Sequence, residues 1–278
     1  MATVVKFGFF ILLLCVISIA SLDNVSARPV CNADEQVSLA SEDAFFPYSG
    51  KYNGKMRGYS YDLVRAAFAA VGCKLEVTSS SYNRCMVEVA MGKLLGCFNT
   101  TNSHENRTKY ILHKRPLFYG RIQVFARADH QGKFEEKSYY NSRFAVVRGY
   151  QYSFEFDSDT AIEKVEVDSD LQTLALVSVK RADYALVYDM VAQFHLTRKN
   201  NLIKERPIPI GLHAEYGLYV SFSRARGSQA QRIADILDHG LSRINVSGEY
   251  RRIENRWMKW LSSGKENDLP APYWQDPN

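Results

Sequence analysis

The chain has 278 residues, 35 lysines and arginines against 30 aspartates and glutamates, a formal net charge of +5, and 46% hydrophobic residues. That length carries one large domain or two modest ones. The basic excess is mild and spread along the chain, which argues against a nucleic-acid-binding stripe and suits the attraction of small anionic solutes.

The first segment reads as an export signal. Lys6 supplies a positive start, 7–20 is an almost unbroken apolar run, and Val25-Ser26-Ala27 places small residues before Arg28. This is the layout of a cleavable secretory signal over 1–27. The run is shorter than the ~20 apolar residues a spanning helix needs. Cys15 follows Leu14 inside it, where lipid attachment would need a small residue. Lys6 and Asp23 leave together, so the net charge survives cleavage.

Next, 36–41 alternates as a short strand, and a loop rich in Gly, Tyr and Ser covers 46–60. Val64, Ala67, Phe68 and Val71 mark one face of a helix that Gly72 ends. Strand 74–79, helix 83–91 stopped by Gly92, and strand 96–99 complete a βαβαβ run. That order predicts a parallel sheet with right-handed crossovers. The pattern restarts with strands at 122–127, 143–147 and 164–167, with a polar loop over 129–142. A helix capped by Asp168 or Ser169 carries Leu171, Leu174 and Ala175. Strands at 184–187 and 216–222 follow, then two amphipathic helices marked by Ile233 to Ile244 and by Ile253, Trp257 and Leu261. The tail 262–278, rich in Pro, Asp and Asn, is expected to be loosely held. Two α/β units in sequence imply two lobes with a cleft between their strand ends, the usual place for a small-molecule site.

Four cysteines outside the signal, Cys31, Cys73, Cys85 and Cys97, lie in the first third. An even number in an oxidising compartment implies disulfides, with three pairings open. Neither a CxxC nor a nearby His pair is present, so no metal site is expected.

The stretch Asn99-Thr100-Thr101-Asn102-Ser103-His104-Glu105-Asn106-Arg107 follows a strand and opens a short helix. Arg107 offers a planar fork suited to a carboxylate, and Thr100 and Asn102 can donate beside it. The competing reading is a capped surface helix with Arg107 in an ion pair. Seven stretches together resemble the bacterial periplasmic solute-binding proteins of the polar amino acid type (family 3). They are Phe45-Phe46-Pro47-Tyr48, Gly58-Tyr59-Ser60-Tyr61-Asp62-Leu63, Tyr82-Asn83-Arg84, Glu105-Asn106-Arg107, Pro116-Leu117-Phe118-Tyr119, Arg181-Ala182-Asp183-Tyr184-Ala185 and the closing 248–257.

The resemblance implies a type II periplasmic-binding-protein fold that closes around its ligand. Lobe 1 would span 28–122 and 213–261, lobe 2 would span 123–212, and the crossings would lie at 122–127 and 212–220. It implies a first sheet ordered 2-1-3, and with it Cys31–Cys73 and Cys85–Cys97. Arg107, Thr100 and Asn102 would hold a ligand carboxylate, with Phe45 and Tyr82 lining the pocket and Glu42 as a polar contact. Tyr150 and Gln151 would reach in from lobe 2, and Arg84 is a second cation at the cleft edge. The acid expected to bind an α-amino group is replaced by Tyr188, with Asp189 next in the chain.

The resulting expectation is a monomeric periplasmic binder of a small polar or anionic solute, without a cofactor. It would serve an ABC permease or a membrane receptor. No GxSxG, HExxH or P-loop is present. The enzyme alternative is a dehydratase on the same fold, using Glu42, Glu105 or Asp189 as general acid.

Overall fold

The computed structural model describes residues 30–32, 35–265 and 269–270; the export signal expected at 1–27 and the tail beyond 270 lie outside the described residues. β1 (Gln36–Glu42) is followed by β2 (Ala44–Phe45), β3 (Ser49–Tyr52) and β4 (Lys55–Arg57). Then come α1 (Tyr59–Ala69), β5 (Lys74–Ser80), α2 (Tyr82–Ala90), β6 (Gly96–Thr101), α3 (His104–Lys109) and β7 (Tyr110–Leu112). β8 (Phe118–Ala126) crosses to the second half. That half holds β9 (Arg143–Val147), α4 (Phe154–Ser158), β10 (Glu163–Val167), α5 (Asp170–Ser178), β11 (Tyr184–Tyr188) and α6 (Asp189–Thr197). β12 (Ile208–Ser223) crosses back, followed by α7 (Gly227–Val246) and α8 (Glu249–Ser263).

Nine strands form one curled sheet, ordered β10-β9-β11-β8-β12-β6-β1-β5, with β7 beside β12. Its ends are two parallel trios: β1 pairs with β5 and β6, and β9 pairs with β10 and β11. The trios are joined by the antiparallel ladder of β8 and β12, which runs from Phe118↔Leu218 to Ala126↔Ile208. This is the two-lobed α/β architecture with two crossings, and the first trio has the order 2-1-3. The crossing strands are longer than expected, because each feeds both halves of the sheet.

The loop expected at 46–60 instead holds β3 and β4, which form a three-stranded antiparallel sheet with β2 just before it. Its tight turn is Asn53-Gly54, with φ of 49° and 77°. Positive φ at both central positions fits a hairpin turn, and Asn-Gly is the pair that tolerates it. The polar stretch before β9 holds a 3-10 turn, Glu136–Tyr139.

Side-chain periodicity explains the helices. Leu63, Val64, Ala67 and Phe68 of α1 are buried, as are Ile233, Ile236, Leu237, Leu241 and Ile244 of α7, each set on one helical face. The α8 residue Trp257 is fully buried and donates from Nε1 to Asp62 Oδ2 of α1 at 2.8 Å. Burial pushes Asp62 up to about 6 against that hydrogen bond. Disulfides join Cys31 to Cys73 and Cys85 to Cys97. The first ties the approach to β1 to the start of β5, and the second ties α2 to β6. The start of the tail is held more firmly than its composition suggests: Arg57 donates to the Pro270 carbonyl, and Leu269 packs on the core. No helix among the described residues is long and apolar enough to cross a membrane.

α1 and α7 pack closely because Gly240 has no side chain; a Cβ there would lie 2.1 Å from the Ala67 carbonyl oxygen. Gly240→Ala should therefore destabilise the protein by about 1–3 kcal/mol, the range for overpacking a tight contact. The denaturant midpoint reads this, and an unchanged midpoint would mean that the two helices separate freely.

Candidate functional site

The carboxyl ends of both parallel trios face one seam between the lobes. From the first half, β1 ends on Glu42, Phe45 follows in β2, and Tyr82 opens α2. β6 ends on Thr100 and Thr101. Ser103 then caps α3, its hydroxyl accepting from the Asn106 backbone at 3.1 Å. From the second half, the turn after β9 carries Tyr150 and Gln151, α5 begins with Asp170 behind the cap Ser169, and β11 ends on Tyr188.

Tyr150, Gln151 and Tyr188 of the second half reach across here. The Tyr150 hydroxyl donates to Glu42 Oε1 at 2.6 Å and lies 3.5 Å from Asp170 Oδ2. Its ring meets Tyr82 edge-on at 5.2 Å and Phe45 at 5.9 Å. Tyr188 packs edge-on against Phe45 at 5.4 Å. The Gln151 carboxamide oxygen accepts from Asn106 Nδ2 at 2.6 Å, Ser103 Oγ at 2.7 Å and, more weakly, Thr101 Oγ1 at 3.4 Å. Its nitrogen donates to Glu105 Oε2 at 2.7 Å at the exposed rim. The backbone approaches closely here: Gly149 has φ of 81°, and a Cβ on it would lie 3.2 Å from the Asn83 Cβ. Only glycine suits both the conformation and the gap.

The seam is aromatic and acidic. Glu42 and Asp170 are 6% and 1% exposed. Burial pushes the Glu42 carboxyl up to about 8, opposed by the Tyr150 hydrogen bond and reinforced by Asp170 and Asp43. Burial likewise pushes Asp170 up to about 7. Asp170 Oδ1 is buried without a hydrogen-bond partner. None of the seam residues named above is a lysine or arginine, so no basic side chain among them offsets these two acids.

Several candidates from the sequence meet here: Glu42, Phe45, Tyr82, Tyr150, Gln151 and Tyr188. Thr100 lies buried just behind, its hydroxyl on Ser221 Oγ at 3.0 Å. Others do not meet here. Arg107 is exposed, and its Nε donates to its own helix's Asn102 carbonyl at 3.0 Å. Arg107 and Asn102 line a hollow with Lys114, Tyr219 and Arg224 instead. The expected clasp of Arg107, Thr100 and Asn102 on one carboxylate is therefore not assembled. The reason lies in the cap: with Ser103 at the helix start, the residue three positions on is Asn106, and its amide turns inward. Arg84 is 75% exposed and pairs with Glu88 at 3.0 Å on its own helix. Asp189 opens α6 and accepts from the Met190 backbone at 2.7 Å. Asn106, Ser103, Thr101 and Asp170 were not singled out from the sequence. Counting from the Ser-x-x-Asn cap would have found Asn106; nothing in the sequence marks Asp170 as facing Glu42.

The model of the bacterial extracellular solute-binding proteins, family 3, matches residues 37–259. A probable amino-acid-binding protein, YxeM of Bacillus subtilis (strain 168), is 20% identical over 254 residues, 88% of this chain and 91% of that protein. Among solved structures, a histidine kinase sensor domain with similarity to periplasmic binding proteins superposes with a TM-score of 0.71. It is 19% identical, covering 81% of this chain and 96% of that one. An ancestral arginine-binding protein bound to arginine gives a TM-score of 0.70 at 15% identity, covering 81% and 99%.

The raised carboxyls make stability fall with pH. Glu42 and Asp170 keep protons in the folded protein that they would lose when unfolded. The native state therefore binds more protons, and ΔG of unfolding drops as pH climbs through about 7 and 8. Urea midpoints measured from pH 6 to 8.5 should decline, and Glu42→Gln should flatten that decline. A wild-type decline that Glu42→Gln leaves intact would assign the effect to other groups.

Proposed function

The chain belongs to the bacterial extracellular solute-binding proteins of family 3, and from that premise we propose that it captures a small carboxylate-bearing polar solute, an amino acid or a close relative, in the seam between its lobes. Lobe 1 is 28–122 with 213–261, lobe 2 is 123–212, and the two are hinged at β8 and β12. Glu42, Phe45, Tyr82, Thr101, Ser103 and Asn106 receive the solute from the first lobe. Tyr150, Gln151, Asp170 and Tyr188 close on it from the second.

One observation carries this reading. Three donors from lobe 1 converge on a single oxygen, Gln151 Oε1, while Glu42 takes a proton donor, the Tyr150 hydroxyl. An acceptor site and a donor-seeking acid side by side are what an amino acid's carboxylate and ammonium need. In this arrangement, Tyr150 and Gln151 stand where the solute's own donor and acceptor bind, and the solute displaces them. Asp170 Oδ1, buried without a partner, offers the ammonium a second oxygen. A zwitterion suits the seam better than a simple anion, because its positive end answers two buried acids. Opening the hinge admits the solute, and contacts from both lobes favour the closed form. The export signal expected at 1–27 and the family support a periplasmic role delivering the solute to an ABC permease, with binding rather than turnover as the activity.

Thermal-shift and calorimetric titrations with the standard amino acids test the proposal, since a true ligand stabilises in proportion to its occupancy. A zwitterionic hit should bind more tightly as pH rises from 6 to 8, because the solute ammonium pairs only with ionised Glu42 and Asp170. Asn106→Ala should weaken it roughly 10- to 150-fold, the worth of about 1.5–3 kcal/mol for one hydrogen bond to a charged group. Arg107→Ala should leave its affinity unchanged. Affinity lost in Arg107→Ala and kept in Asn106→Ala would return the carboxylate to Arg107 and defeat this assignment.

A further inference from the structure

One residue along α3 from Asn106, about 100° around the helix axis, Arg107 faces a different environment. It lines an open hollow of about 380 Å³ with Asn102, Lys114, Tyr219, Arg224 and Gln231. Arg224 reaches across the same hollow, and its Nη2 donates to the Arg107 carbonyl at 2.7 Å. Arg224 thus reaches the end of the short helix that carries Arg107, and both line the hollow.

The acids nearby are committed elsewhere. Asp238 accepts from the backbone N–H groups of Lys114 at 2.7 Å and Arg115 at 3.1 Å and lies 3.6 Å from the His113 ring. Asp235 accepts from Gln231 at 3.3 Å and is 3.9 Å from the Lys114 ammonium, which is itself 81% exposed. Glu105, on the same helix as Arg107, bonds Lys109 and Gln151. Neither Arg107 nor Arg224 has a carboxylate within ion-pair distance among the described residues. Two arginines and a lysine lining one hollow with no acid among its lining residues leave an excess of positive charge there, which a counter-anion offsets. The planar forks of the arginines match the oxygens of a carboxylate or phosphate.

We propose that this hollow is a binding site for a small polyvalent oxyanion, inorganic phosphate or a short di- or tricarboxylate, held by Arg107, Arg224 and Lys114. It is separate from the seam and does not rest on the solute-capture reading: no residue of the hollow takes part in the Glu42–Tyr150 or Asn106–Gln151 contacts. The site is open to solvent, so its affinity depends on ionic strength.

The test is a titration of the purified protein with sodium phosphate and with sodium citrate, each against sodium chloride at matched ionic strength. Melting temperature and binding heat are the readouts. The proposal expects a saturable rise in melting temperature with phosphate or citrate beyond that of chloride. Arg107→Gln with Arg224→Gln should weaken binding at least about tenfold, on the scale of losing charged contacts, and Glu42→Gln should keep the full response. A rise that chloride reproduces, or that survives the double substitution, overturns the site. If the double variant fails to fold, Lys114→Gln is titrated with phosphate and followed by phosphorus NMR linewidth: reduced broadening supports the site, and wild-type broadening overturns it.

Discussion

Glu42 sits buried at the end of a strand, no basic side chain among the described residues of the seam answers it, and its partner is a hydroxyl from the other lobe. That one constraint organises the seam. A buried carboxyl costs free energy unless it keeps its proton or finds a donor; here burial raises its pKa and the Tyr150 hydroxyl supplies a hydrogen bond. Tyr150 can reach it only because Gly149 lets the turn after β9 pass close to Asn83. Gln151, the next residue, is then brought over Asn106 and Ser103. The hydrogen bonds that cross the seam are therefore exchangeable, and they sit among aromatic contacts between the lobes such as Tyr188 on Phe45.

The place of the seam follows from the sheet. The β8–β12 ladder is the shared element, and each parallel trio is pinned to it with its strand ends toward the seam. Helices α1, α7 and α8 lock the first lobe through Gly240 and the Trp257–Asp62 hydrogen bond. The Tyr150 and Gln151 hydrogen bonds cross the seam, and a second set of contacts crosses elsewhere: Phe194 stacks on Phe46 at 5.4 Å, and Arg198 lies over the Trp260 ring and donates to the Lys265 carbonyl. On the proposed reading, a solute that offers the same donors and acceptors replaces the hydrogen bonds of Tyr150 and Gln151.

Much of the fold was legible in the sequence because its elements carry strong local signals. The α1 stripe, the stops at Gly72 and Gly92, and strands β5 and β9 come from periodicity and punctuation. The disulfide pairs followed from the resemblance through the strand order it implied. The β2–β4 sheet was missed although Asn53-Gly54 is a hairpin signal, because Gly, Tyr and Ser around it masked the alternation. α6 was missed because it leaves β11 directly, with no Ser or Thr cap to announce it.

The site was less legible, and the reason is physical. Charge drew attention to Arg107, but the direction of a side chain on a short helix is set by distance from the cap. Ser103 fixes that count and turns Asn106 inward. Asp170 is invisible for another reason: its role arises only when the lobes meet, and no local pattern encodes which helix start faces Glu42. The most direct measurement is a crystal structure with a bound amino acid. The account predicts the ligand carboxylate on Asn106 and Ser103, its ammonium on Glu42 and Asp170, and the Tyr150 hydroxyl moved off Glu42. A ligand bound elsewhere, with the Tyr150–Glu42 hydrogen bond intact, would contradict it.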